Sequence, residues 1–291
     1  MRVSVMQLCP GANKDANIAQ ATTWMDAAAA ERPNFVSLPE MWSCLGGDRT
    51  TKFDQAEALP GFGSGATGGP AYEFLRRSAV CLGCVVHGGS IGERGEGVDA
   101  GRLFNTSVVF DAQGHEIARY RKIHLFDITT PDGTGYRESS TYGAGEQIVT
   151  FEAAGLIVGL SICYDVRFPE LFLTLRRQGA ELIFLPAAFT VPTGEAHWHA
   201  LIRARAIETQ SWIAAAATVG DHFDAKGQAR ATFGHSMICD PWGRVVAEQS
   251  SGIGLVSAEI DRAMTARIRR DMPVLEHRDA RSAALQRNVA A

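Results

Sequence analysis

Short β-rich runs alternate with helical patterns along almost the whole chain, and that rhythm restricts it to a layered α/β arrangement. Arg2 to Leu8 reads as a strand. Ile18, Ala21, Met25 and Ala28 then fall at helical spacing in a segment running through Ala30. Phe35 to Leu38 is a short apolar run closed by Pro39. Pro70 opens a second helix at a favoured first-turn position, with Phe74, Leu75, Ser78, Cys81 and Leu82 on one face. Cys84 to Ile91 completes a β-α-β-α-β opening. Hairpins follow: Thr106 to Phe110 and Glu116 to Tyr120 flank one turn, Gln147 to Phe151 and Leu156 to Ile162 another. Hairpins among crossovers predict mixed rather than purely parallel sheets. Helices over Phe168 to Gln178 and about Glu195 to Gln210 are expected next. Strands over Leu182 to Leu185, Trp212 to Val219, His235 to Cys239, Val245 to Glu248 and Ile253 to Ile260 complete the pattern. The βα rhythm persists through the Gly-rich loop from Gly61 to Gly69. One domain over residues 1–270 is therefore expected, followed by a polar, Arg-dotted tail at 271–291.

A chain of 291 residues with 46% apolar and 21% charged residues buries enough surface to fold without disulfides or a structural metal. Its formal net charge of −4 gives no general attraction to phosphate backbones, which argues against nucleic acid as a partner. No apolar run approaches the roughly 20 residues of a membrane span. The opening MRVSVMQLCPG reads as a strand rather than a signal peptide. Six thinly spread cysteines then read as reduced thiols of a cytoplasmic protein, each available as a nucleophile.

Three apolar strands end on reactive side chains. Glu40 follows Phe35-Val36-Ser37-Leu38-Pro39, Lys122 closes Tyr120-Arg121, and Cys163 stands where Gly159-Leu160-Ser161-Ile162 turns toward a helix. Ligand sites of layered α/β folds lie beyond the carboxyl ends of strands, so the three are placed to converge. Singly, Cys163 reads as a small core residue, Glu40 as a solvated carboxylate and Lys122 as a surface amine. Together they suit acyl transfer. A thiol near a helix N-terminus and an ammonium is expected to have a depressed pKa. Glu40 would take the thiol proton, return it to a leaving amine and later activate water. Lys122 and the backbone N–H of Tyr164 would hold the oxyanion.

The segments LPEMW, YRKIHLFD and SICYDVRFPEL, in that order, resemble the signature segments of the nitrilase superfamily of carbon–nitrogen hydrolases. The resemblance extends from Gln7 to about Arg278. It implies an α/β fold of the four-layer α-β-β-α sandwich type with mixed sheets, paired at least as a homodimer to which the tail contributes. It implies a Glu40–Lys122–Cys163 triad, with Glu138 of Arg137-Glu138-Ser139 orienting the lysine and substrate. No cofactor or metal is implied. Ala196-His197-Trp198, Gly234-His235-Ser236 and Met272-Pro273-Val274-Leu275-Glu276-His277-Arg278 resemble the amidase branches that act on deaminated glutathione, with ω-amidases as neighbours. The implied substrate is a small carboxylate-bearing amide. Arg167 would bind its carboxylate, and Tyr164, Phe189 and Trp198 would line the pocket.

Other readings predict other chemistry. Within the family these are ω-amidase, N-carbamoyl amino-acid hydrolase and true nitrilase; outside it, a pseudo-enzyme that binds an acidic metabolite or a protein partner, or a Cys–His hydrolase using His124 or His235. Cys81-x-x-Cys84 lacks a second pair at zinc-ribbon spacing and reads as core packing. His197 and His199 point to different helix faces, unlike a shared metal pair. His87-Gly88-Gly89 reads as a strand end that needs small residues.

Overall fold

The computed structural model describes residues 1–130 and 133–289. Within them the strands bury both faces, and period-two alternation sorts their side chains between two cores. In the first sheet Val3, Val5, Phe35, Val85 and Val109 face inward toward the second sheet. Their neighbours Met6, Leu8, Val36, Val86, Val108 and Phe110 face outward. Against that outer face lie the helices Lys14–Glu31 and Pro70–Leu82, which contribute Ala21, Met25, Ala28, Ala71, Phe74 and Leu75. In the second sheet Gly159 allows the helix Pro169–Arg177 to approach closely, because a Cβ there would lie 3.1 Å from Leu175. The helix Val191–Thr209 covers the same face with Ile202 and Ala206. The result is an α-β-β-α sandwich.

The first sheet has eight strands. Its main path runs Gly254–Glu259, Arg2–Gln7, Phe35–Ser37, Val85–His87, Leu103–Phe110 and Ile91–Arg94. Arg2–Gln7, Phe35–Ser37 and Val85–His87 are mutually parallel, and the flanking pairs are antiparallel. The second sheet runs Thr150–Ala153, Leu156–Leu160, Leu182–Phe184, Trp212–Ala215, Ser236–Cys239 and Val245–Gln249, again parallel at its centre. Both sheets are mixed, as the hairpins predict.

Several boundaries differ from expectation. The run from Cys84 to Ile91 divides into Val85–His87 and Ile91–Arg94 around Gly88 and Gly89. Cys81 is exposed while Cys84 is buried, so the pair shares no core position. The long helix begins at Val191, with Pro192 in its first turn, rather than at Glu195. Three elements carry no strong period and escape the sequence patterns: the helix Arg49–Gln55 and the hairpins Asp127–Thr129/Gly135–Arg137 and Val219–Phe223/Ala229–Phe233. The helix Arg262–Asp271 leads into the tail, which is helical over Val274–Val289; Asp279 pairs with Arg177 at 2.6 Å. Residues 290–291 lie outside the described residues. No helix among the described residues is long and apolar enough to cross a membrane.

One histidine sits in the apolar seam between the sheets. His87 is fully buried, stacks on Phe184 at 4.5 Å and is hydrogen-bonded by Ser37 and Ser107, at 2.8 Å each. Burial lowers its pKa to about 3. Below its ordinary value of 6.5 the unfolded chain binds a proton that the native state refuses, so stability falls as pH drops from there toward 3. The expected slope from this group is about 1.4 kcal/mol per pH unit. Urea unfolding at pH 6.5 and pH 5 should show that loss in the natural chain and a shallower one in His87→Gln; equal slopes would exclude His87 as its source.

Candidate active site

Each reactive residue sits just past a strand end, and close backbone packing fixes two of them. Glu40 follows Phe35–Ser37 by three positions. Gly89, at φ +58°, presses on the preceding residue: a Cβ there would lie 2.1 Å from the Pro39 carbonyl oxygen. Lys122 directly follows Glu116–Arg121, and a Cβ on Gly145 would lie 2.1 Å from the Arg121 oxygen. The Lys122 amide donates to the Asn105 carbonyl at 2.9 Å, and its own carbonyl accepts from Gly145 at 2.8 Å. Cys163 opens a 3-10 turn, Cys163–Arg167, with a left-handed φ of 48°. A non-glycine residue there is strained, and such strain is held only by its surroundings.

Asp165 supplies much of that restraint. Fully buried, it accepts from the Ile162 amide at 2.8 Å, the Tyr120 hydroxyl at 2.7 Å, the His124 amide at 3.0 Å and His124 Nδ1 at 2.7 Å. Tyr120 and His124 flank Lys122, so this one carboxylate ties the cysteine turn to the lysine segment. Buried Arg205 braces the same turn by donating to the Val166 carbonyl at 2.7 Å.

The side chains meet. Lys122 Nζ donates to Glu40 Oε1 at 3.0 Å and to Glu138 Oε2 at 2.8 Å, and is 2% exposed. Asn105 Nδ2 bridges the two carboxylates, at 2.8 Å from Glu40 and 3.3 Å from Glu138. The Phe126 amide donates to Glu138 at 2.6 Å. Glu40 and Lys122 both lie close enough to Cys163 for their charges to act on its thiol. Burial opposes the Lys122 ammonium, but Glu138 and Glu40 outweigh it and hold its pKa well above the ordinary lysine value. The thiol behaves oppositely to the sequence expectation. Burial and the Glu40 charge push its pKa well up, against the opposing pull of Lys122 and a hydrogen bond from the Ala188 backbone. Two carboxylates against one ammonium already leave a negative charge beside the sulfur, so a thiolate is disfavoured at rest.

These groups open on a cavity of about 250 Å³. Glu40, Lys122, Glu138, Cys163, Tyr164 and Phe189 all line it. Trp198 does not: fully buried, it packs behind Phe189 with centroids 4.7 Å apart and donates to the His235 carbonyl at 2.8 Å. Arg167 is also absent from the lining. Its guanidinium reaches His197 Nδ1 at 3.3 Å and lies over Phe189 and Tyr164. His124 stacks on Phe168 and is held by Asp165, while His235 pairs with Glu248, so neither imidazole lines the cavity with Cys163. Sequence reasoning missed Asn105, whose only signal is a polar side chain inside the apolar strand Leu103–Phe110. It also missed Lys52 and Arg230 at the cavity wall, which lie on elements without strong periodicity.

Residues 2–270 match the family model described as carbon-nitrogen hydrolase. The chain is similar to a deaminated glutathione amidase of Synechocystis, with 39% identity over 94% of this chain and 97% of the relative. It is also similar to omega-amidase NIT2 of Mus musculus, with 36% identity over 96% and 95%. Among solved structures, Saccharomyces cerevisiae Nit3, a member of branch 10 of the nitrilase superfamily, superposes with a TM-score of 0.81 and 29% identity. That match covers 94% of each chain. The chain belongs to the carbon–nitrogen hydrolase family, within the nitrilase superfamily.

Proposed function

We propose that the chain is an amidase that hydrolyses a small carboxylate-bearing amide through a thioester on Cys163, with deaminated-glutathione-like amides as the first substrate class. The observation that carries the reading is the meeting of Glu40, Lys122, Glu138 and Cys163 on one cavity. Glu40 takes the thiol proton as sulfur attacks the amide carbonyl carbon, which suits a thiol protonated at rest. Lys122 and the Tyr164 amide stabilise the oxyanion; an N–H in the first turn of a helix has no intrahelical acceptor of its own. The C–N bond breaks as Glu40 returns the proton to the leaving nitrogen. Glu40 then draws a proton from water as its oxygen attacks the thioester carbon; the C–S bond breaks, the acid departs, and Glu40 passes the proton to sulfur. Glu138 and Asn105 hold Lys122 and Glu40 in position throughout. The ω-amidase reading uses the same steps on α-keto amides of glutamine or asparagine, and similarity to an enzyme of that name favours it as the second reading.

The pairing of two copies is part of this reading. Exposed Ile207, on the sheet-flanking helix Val191–Thr209, touches the turn carrying exposed Trp242, where a Cβ on Gly243 would lie 2.5 Å from Ile207. Exposed apolar neighbours of this kind suit a subunit contact. Light scattering should give about twice the 31.3 kDa chain mass, falling toward one chain in Ile207→Glu/Trp242→Glu; a natural chain that scatters as a monomer ends the idea.

Two experiments test the chemistry. Cys163→Ala and Glu40→Gln should each lose about a thousand-fold or more in amide turnover, read as ammonia or amine release. Near-natural activity in either variant would refute the assigned roles. The alkylation of Cys163, followed by peptide mass, should also show an altered pH midpoint. Because the Glu40 charge raises the thiol pKa, removing it in Glu40→Gln should move that midpoint to lower pH. An unmoved or higher midpoint would show that Glu40 does not act on the sulfur.

A further inference from the structure

The cavity is electrically lopsided. Around Cys163 two carboxylates face one ammonium, so its inner end carries an excess negative charge. A carboxylate brought in with a substrate is repelled from that end and must lie away from it. The rest of the wall offers cations. Lys52 projects into it from the helix Arg49–Gln55, and Arg230 from the strand Ala229–Phe233, with its guanidinium 4.6 Å from the Tyr136 ring centroid. Arg137 is there too, but it donates to the Ile128 and Tyr136 carbonyls.

Neither Lys52 nor Arg230 makes an ion pair with a carboxylate among the described residues. Lys52 is only partly exposed; burial and the nearby Arg230 charge lower its pKa, against a weaker opposing pull from Glu138 and Asp48. Glu138 lines the same wall, but both its oxygens are taken by Lys122, Asn105 and the Phe126 amide, so two like charges, one of them partly desolvated, still favour a further anion. Lysine supplies a point charge and arginine a planar fork, a combination suited to a carboxylate. Arg167, the residue that sequence reasoning assigned to this task, is turned toward His197 outside the cavity.

We infer that Lys52 and Arg230 form the carboxylate subsite, holding an acid group that the substrate carries at the end remote from the amide and directing the amide toward Cys163. The inference deepens the amidase reading and rests on it. It makes the substrate a bifunctional molecule, amide at one end and carboxylate at the other, oriented by the polarity of the cavity.

The test compares two amides of equal length, the monoamide of a short dicarboxylic acid and the matching neutral aliphatic amide, on the intact full-length protein. The natural chain should favour the acid amide. In Lys52→Ala and in Arg230→Ala, KM for the acid amide should rise about tenfold, with kcat changed less than about twofold. The double variant should lose about a hundred-fold in acid-over-neutral discrimination, and Lys52→Arg should recover most of its single loss. Added salt should raise KM for the acid amide. Continued hydrolysis of the neutral amide by the double variant reports a folded site. If both amides weaken equally, or the acid amide keeps its natural KM, the subsite assignment is wrong. If the natural chain hydrolyses both amides but does not favour the acid one, the assignment is likewise wrong. If it releases nothing from either amide, the amidase reading itself fails.

Discussion

A lysine ammonium almost sealed from solvent is tenable only with anions against it, and here the two anions are Glu40 and Glu138. Taking three charged groups out of water carries a desolvation cost of several kcal/mol per ion, recovered only when geometry and hydrogen bonding are near complete. Completeness is what the surroundings provide: Asn105 bridges the carboxylates and the Phe126 amide satisfies Glu138. The residues come from separate strand ends and a loop, so the site exists only when the first sheet is in register. Fold and site are one cooperative unit at this point.

The second constraint is the resting protonation of the Cys163 thiol. In many thiol enzymes neighbouring cations lower the thiol pKa. Here Lys122 is already matched by two acids, and the sulfur sees a net negative neighbourhood. In the proposed reaction the proton leaves sulfur as the new bond forms, and the same carboxylate that disfavours the thiolate is its acceptor. Strain at Cys163 works with this economy. Its left-handed backbone lifts the side chain off the strand axis, while Asp165 and Arg205 carry the cost of holding it.

The layered α/β class and the mixed sheets were legible in the sequence because the central strands are short and apolar, while the four-layer sandwich was implied only by the family resemblance. Glu40 and Cys163 were legible because each follows such a strand, Lys122 because it closes a hairpin strand, and the family resemblance joined the three. The cavity wall was not. Lys52 rides a seven-residue helix, and Arg230 a hairpin whose exposed faces carry no alternating pattern. Arg167 and Trp198 were misplaced for a related reason: proximity in sequence to Cys163 or Phe189 does not say which way a side chain turns. Arg167 turned to the helix Val191–Thr209, and Trp198 into the core behind the wall. The raised thiol pKa was also unreadable, since it depends on the sum of charges in space rather than on any one neighbour.

Gly89 and Gly145 have a consequence for how such an enzyme can change over time. Each lies flush against the peptide unit just before a side chain of the candidate site, Glu40 or Lys122, at Pro39 and Arg121. Even one methyl group at either place would shift the adjacent main chain and detune the spacing between acid and amine. Drift at these positions is closed, while the cationic wall, built on short peripheral elements, is open to it. New specificities in this scaffold would therefore arise by rewriting the rim around an immobile chemical centre.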